Sequence, residues 1–253
     1  MLRYIALFLL LALPLNAGEK IIADLSQNRV GISATFDGSD ILIFGAISRD
    51  TPVPEGSPMQ VVISVSGPLE PVTVRRKDKR AGIIWVNSAS VLIDEAPSFY
   101  SVATTAPLKE ILSDEADLKY KVSIPRAIES IGAQIASGHA KEFTEALIRI
   151  RTNNNLYHVR EGAVELKSGT LFSTSIDLPS NLTAGVYTAR ILITREKQVV
   201  DVFETELDIH KVGLERWLYN LAHENALYYG LMSLFIAIVA GWTASAVFSY
   251  FKR

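Results

Sequence analysis

The groups that most often carry catalysis or metal binding are dispersed along this chain. Four histidines, His139, His158, His210 and His223, fall in separate segments. No H-x-x-x-H or H-E-x-x-H pair sets two of them on one helix face, so no zinc site is legible. Cysteine is absent, which removes thiol nucleophiles, thiolate ligands and disulfides together. Neither a G-x-S-x-G elbow nor a phosphate-cradling G-x-x-x-x-G-K-[ST] loop occurs. The carboxylate pairs Asp94-Glu95 and Asp114-Glu115 have a spacing common on solvated surfaces and assign no general acid and base. The expectation is a protein that is not an enzyme, with no catalytic residue, cofactor or metal.

One run is sharply charged. Arg75, Arg76, Lys77, Asp78, Lys79 and Arg80 place five cations in six residues between two predicted strands. Such a cluster is a possible polar contact surface for anionic headgroups, an acidic partner or an oxyanion. It is also what a solvated hairpin or a charged edge against strand pairing looks like, and that blander reading is preferred. Trp85, Val86 and Asn87 could line a pocket beside the cluster, although one tryptophan in an all-β domain usually belongs to the core. A formal charge of −2 gives no global attraction to nucleic acid or anionic lipid, and no nucleic-acid partner is expected.

Behind these residues stand two membrane-active ends. Residues 226–250 are a charge-free apolar run of 25. At ~1.5 Å per helical residue it crosses a ~30 Å hydrocarbon core with some tilt. Residues 4–15, behind Arg3, are an apolar run of signal-peptide length, short of the roughly 20 residues a spanning helix needs. Residues 1–17 are therefore read as a signal peptide cut after Ala17, with Gly18 the near alternative and an uncleaved anchor the other reading. A cleaved leader leaves residues 18–225 outside and a tail, 251–253, in the cytoplasm, where Lys252 and Arg253 fit the positive-inside tendency.

The span has internal pattern as well. Ala237, Gly241 and Ser245 recur every four residues, with Ala240 and Ala244 alongside. Small residues at this spacing let two helices approach closely, and packing drives helix association in lipid. They are the possible transmembrane packing face. Before the span, residues 212–225 read as an amphipathic juxtamembrane helix with Leu214, Trp217, Leu218 and Leu221 on one face. Trp217, Tyr228 and Tyr229 are the expected membrane-interface anchors, since amphipathic rings suit the headgroup layer.

The exported region reads as mainly β. Residues 18–106 show seven or eight short strands with turn signals every eight to twelve residues, the pattern of an immunoglobulin-like β-sandwich without its disulfide. Residues 107–155 turn helical: LKEIL, DEADL, PRAIESIGAQIA with Ile128, Ile131 and Ile135 on one face, an interruption at Gly138, then HAKEFTEALIRIR. This last helix sets Phe143, Leu147 and Ile150 inward, with Arg149 and Arg151 on the solvated side. Residues 156–211 return to four strands, a second, smaller β-rich unit. Whether the two β-rich parts close one sandwich or two stays open. In GVYTARILIT, Tyr187 follows Gly185 by two, as in the penultimate-strand entry of immunoglobulin-like domains, where a tyrosine hydroxyl ties back to the preceding corner.

The strings RVGISATFDGSDILIFGAI, AGIIWVNSASV, SFYSVATTAPL, LPSNLTAGVYTARILI and GLERWLYNLAHENALYYG, followed by AGWTASAVF, resemble the putative alphaproteobacterial transmembrane protein family over essentially the whole mature chain. The resemblance implies a signal peptide, an exported region and one C-terminal span in a bacterial inner membrane, and brings no catalytic residues. Members of that family tend to be encoded beside sulfite-exporter-like permeases, so the resemblance also points to a transport-associated role. The expected function is that of a membrane-anchored periplasmic accessory protein, whose partners are the lipid bilayer and another membrane or envelope protein such as a permease. The alternative is a periplasmic module binding a small anion or carbohydrate; an envelope hydrolase is third and unsupported.

Overall fold

A computed structural model describes residues 19–49, 56–80, 83–128 and 140–251. The leader, Ile131, Ile135, Gly138, His139 and the two C-terminal cations lie outside the described residues. Mostly strand, at 48%, the chain builds three sheets. The strands are β1 (Lys20–Leu25), β2 (Arg29–Ile32), β3 (Gly38–Ser48), β4 (Gln60–Ser66), β5 (Leu69–Arg80), β6 (Ile84–Pro97) and β7 (Tyr100–Thr104), then β8 (Tyr157–Arg160), β9 (Glu165–Lys167), β10 (Leu171–Pro179), β11 (Gly185–Arg195) and β12 (Gln198–Lys211). Between β7 and β8 lie α1 (Leu108–Ile111), α2 (Asp114–Tyr120), α3 (Ile124–Ala127) and α4 (Ala140–Asn153). After β12 come α5 (Leu214–Glu224) and α6 (Ala226–Phe251).

A four-stranded sheet runs β1-β3-β10-β9, a six-stranded one β2-β12-β11-β4-β7-β8, and β5 with β6 makes a ribbon of its own. Side-chain periodicity explains the first two. In β10 every second residue from Phe172 to Leu178 is buried, the alternation of a strand with one face on a core. In β4 all five residues from Val61 to Val65 are buried, the near-continuous run of a strand covered on both faces. Helices tie to this sheet where Arg190 Nη1 donates to the Tyr120 carbonyl at 2.8 Å and the Tyr100 hydroxyl to that of Val122 at 2.9 Å.

Strands on either side of the helical segment share both sheets. Leu171 to Pro179 of β10 pair with Ala46 to Gly38 of β3, and Thr188 to Thr194 of β11 pair with Ser66 to Gln60 of β4. Strands from the two β-rich parts of the sequence thus share sheets. Counting strands by local turn signals divides them because it cannot see pairing between residues more than a hundred apart.

Three local expectations also change. In a region that reads as short strands, Ile84–Pro97 form one long β6, with a register irregularity opposite Arg76 and Lys77. Ile150 is 48% exposed, while Phe143 and Leu147 are buried; helix α4 turns a narrower apolar stripe inward than the spacing implies. Arg151 is half-buried, its guanidinium donating to the Ser98 carbonyl at 3.2 Å, rather than solvated.

The contacts divide the chain into two compact units, with boundaries at Val30/Gly31, Phe36/Asp37 and Ile209/His210. The larger holds α1 to α4 and the sheets, except the last residues of β2 and β12. The smaller holds residues 31–36 and the chain from His210 onward; within it the Val212 amide donates to the Ile32 carbonyl at 2.8 Å. Gly213, at φ +118, opens α5 from a backbone conformation that side chains disfavour. Asn225 closes α5 through its amide on the Leu221 carbonyl, and α6 starts at the next residue.

Candidate functional site

The cation run lies on the ribbon. Strand β5 supplies Arg75 to Arg80, and β6 pairs with them from Ser90 back to Ile84. Val74 and Val91 are the last buried pair along this ladder. Beyond them β5 is exposed at every residue, and so is β6 between Ile84 and Ser90 except at the half-buried Val86 and Ala89. Directly paired residues share a face. One face therefore carries Arg75, Lys77 and Lys79 with Trp85, and the other carries Arg76, Asp78 and Arg80 with Val86 and Ile84.

Arg76 lies 3.7 Å from Asp78 and 3.9 Å from Glu142 of α4. Among the described residues, Arg75, Lys77, Lys79 and Arg80 have no ion-pair partner. Lys79 Nζ stands 5.2 Å from the Trp85 ring centroid, a cation–π distance. Trp85 is 60% exposed, beside Ile83 at 84% and Ile84 at 64%. The tryptophan is thus neither core nor the wall of a pocket: it sits on an uncovered arm.

A polar cavity of about 420 Å³ opens elsewhere in the same unit, lined among others by Ser64, Tyr100, Lys121, Thr188, Arg190 and Glu204. Arg190 Nε meets Glu204 at 2.6 Å, so its charge is already answered. What the cavity offers is hydroxyls, the Arg190–Glu204 pair, and the charges of Glu95 and Lys121. Among the described residues no three His, Cys, Asp or Glu side chains gather as a metal site.

Three tyrosine hydroxyls are buried around the core of the same unit. Tyr100 donates to the carbonyls of Lys121 and Val122, Tyr157 to that of Pro97 at 2.7 Å, and Tyr187 to that of Thr183 at 2.8 Å. The last is the tie-back expected from GVYTARILIT. Burial pushes all three up from the ordinary phenol value to about 12, because a phenolate loses its water there.

Sequence reasoning missed one charged cluster altogether. Glu19 Oε1 accepts from Arg49 Nε at 3.0 Å and from Arg195 Nη2 at 2.6 Å, with Glu19 and Arg49 almost wholly buried. Arg49 also donates to the Gly169 carbonyl, and the Ile21 amide donates to Asp201 at 2.8 Å. The cluster pins the start of β1 to both large sheets. Its members are 30 and 176 residues apart, so no spacing rule could have joined them.

In the smaller unit, α6 contains an apolar window, Ala226–Phe248, of 23 residues with mean hydropathy 2.0. Trp217 lies on α5 and Tyr228 and Tyr229 in the first turn of α6, all exposed. At 3.6 residues per turn, Ala237, Gly241 and Ser245 share one side of α6. A Cβ placed on Gly241 meets nothing within 4 Å. The Ser233 and Thr243 hydroxyls bond back to the carbonyls of Tyr229 and Ala240, which satisfies them without a second helix.

The family model described as "Putative transmembrane protein (Alph_Pro_TM)" matches residues 20–250. No curated protein matches the chain. The chain belongs to that transmembrane family, and its apolar C-terminal helix anchors it in a membrane.

Proposed function

We propose that this member of the family is an accessory protein of the bacterial inner membrane, held by α6, with its β unit in the periplasm and its C-terminus in the cytoplasm. It contacts another envelope protein, a permease being the favoured class. The observation that carries the reading is α6 itself, an apolar helix with no residue of its spanning window covered by the rest of the protein. A helix of this kind ends in lipid, in contact with another helix, or both. The side formed by Ala237, Gly241 and Ser245 is the proposed packing face, and Trp217, Tyr228 and Tyr229 are the proposed interface anchors. Arg75, Arg76, Lys77, Lys79 and Arg80 form the polar contact surface.

The β unit fits an immunoglobulin-like sandwich. In that fold one sheet holds strands A, B, E and D and the other G, F and C, and C′ extends the second. The order β1-β3-β10-β9 matches the first if β1, β3, β9 and β10 are A, B, D and E. The run β12-β11-β4-β7 matches the second as G, F, C and C′. Tyr187 then stands near the start of strand F, where a tyrosine corner belongs. On this reading the β5–β6 ribbon is an insertion between C and C′, and the helices are a second insertion before D. Insertions on a rigid scaffold are where interaction surfaces concentrate.

A second reading has one observation in its favour. The 420 Å³ cavity is within the range of small-molecule sites, and its hydroxyls and charges of both signs suit a carbohydrate better than a free anion. The two readings separate experimentally. Photo-crosslinkers placed along α6 in intact membranes should attach a reproducible membrane protein. Gly241→Leu, which inserts as well as the parent but fills the groove, should abolish the α6 crosslinks at unchanged protein level. If no protein is captured and a glycan protects Lys121 and Arg190 from chemical modification, the ligand-binding reading replaces the first.

A further inference from the structure

We propose that the β5–β6 arm is a bilayer-docking element, which enters the headgroup layer of an anionic membrane with Ile83, Ile84 and Trp85 while its cations pair with lipid phosphates. The inference rests on the anchored reading only in that α6 keeps the chain on a bilayer. Four observations point to this occupant. First, Ile83, Ile84 and Trp85 are consecutive exposed residues, although an isolated two-stranded hairpin is marginal in water. Second, the cations lie on both faces of the ribbon, with a single carboxylate, Asp78, among them. A rigid protein surface complements one face of a ribbon, whereas a fluid interface receives its end from every side.

Third, the composition matches the layering of a membrane surface. Aliphatic and indole groups sit at the depth of the acyl boundary, and Lys and Arg stems reach back to the phosphates. The Lys79–Trp85 contact pairs one group of each kind. Fourth, the arm is long: its exposed six residues, Arg75 to Arg80, extend ~20 Å beyond the last buried pair at ~3.3 Å per residue.

The test uses the full chain in vesicles. Tryptophan occurs at three positions, 85, 217 and 242, so W217F/W242F leaves Trp85 as the sole indole. This protein is reconstituted into vesicles of phosphatidylcholine alone or with phosphatidylglycerol, each carrying a brominated phosphatidylcholine as quencher. Trp85 emission should move to shorter wavelength and be quenched in the anionic vesicles only, and high salt should reverse both changes. Replacing Arg75, Lys77 and Lys79 by Ser in the same background should reduce the docked-to-free ratio about fivefold per cation removed. Equal Trp85 emission in both lipids, or full quenching in the triple variant, overturns the proposal. So does an indole that stays in water in anionic vesicles while a photo-crosslinker at position 85 captures an acidic protein in cells. Failure here leaves the crosslinks along α6 untouched, so it is distinguishable from failure of the accessory-protein reading.

Discussion

Three buried hydroxyls at Tyr100, Tyr157 and Tyr187 make the β unit sensitive to alkali. Each has its folded value raised from 10.0 to about 12, so between these values the unfolded chain has lost a proton that the folded one keeps. Stability is unaffected below pH 10 and falls as pH rises from there towards 12, by up to about 2 to 3 kcal/mol for each tyrosine. Absorbance at 295 nm should show these three phenols ionising together with the loss of near-ultraviolet circular dichroism, after the exposed tyrosines have titrated. Glu19 tests a different cost. Glu19→Ala leaves Arg49 and Arg195 without their shared carboxylate and should lower stability by about 3 to 5 kcal/mol in urea unfolding. Neither effect could be expected from sequence except at Tyr187, whose place after Gly185 signals a corner. Tyr100 and Tyr157 find their carbonyls through tertiary packing, and the Glu19 cluster joins three distant segments.

Among the elements, the β5–β6 arm separates what was legible from what was not. The cation density of residues 75–80 and their place in a hairpin follow from sequence, because turn residues and β-branched runs are local signals. That β6 extends unbroken from Ile84 to Pro97 does not, since the polar stretch through Asn87 and Ser88 reads as a turn when its cross-strand partners are unknown. Exposure of Trp85 was equally hidden, because hydrophobicity argues for the core unless the strand projects beyond it. Replacing Arg75, Arg76, Lys79 and Arg80 by Ser should leave the unfolding midpoint nearly unchanged. These side chains are exposed, and exposed ion pairs contribute at most about 1 kcal/mol each. Loss of cooperative unfolding in this variant would show that the arm holds the sheets together and is not an appendage of them.

At the scale of the whole molecule, the two compact units differ in cover: one is a β unit sealed by its own core, and the other ends in an apolar helix with no cover of its own. The sequence announces that division because 25 charge-free residues have one common use at this length. It does not announce that residues 18–106 and 156–211 interleave, since strand pairing is decided by long-range packing rather than by spacing. The proposed orientation rests on the expected leader and the two terminal cations, and it is the property on which the proposed function most depends. The absence of cysteine makes it directly measurable. A cysteine at Ser57, on the β unit, should react with an impermeant maleimide in cells whose outer membrane has been made permeable, while one added after Arg253 should react only after lysis. Labelling of the added tail but not of position 57 in intact inner membranes would put the β unit in the cytoplasm. A periplasmic partner would then be out of its reach, and the arm could touch only the inner leaflet.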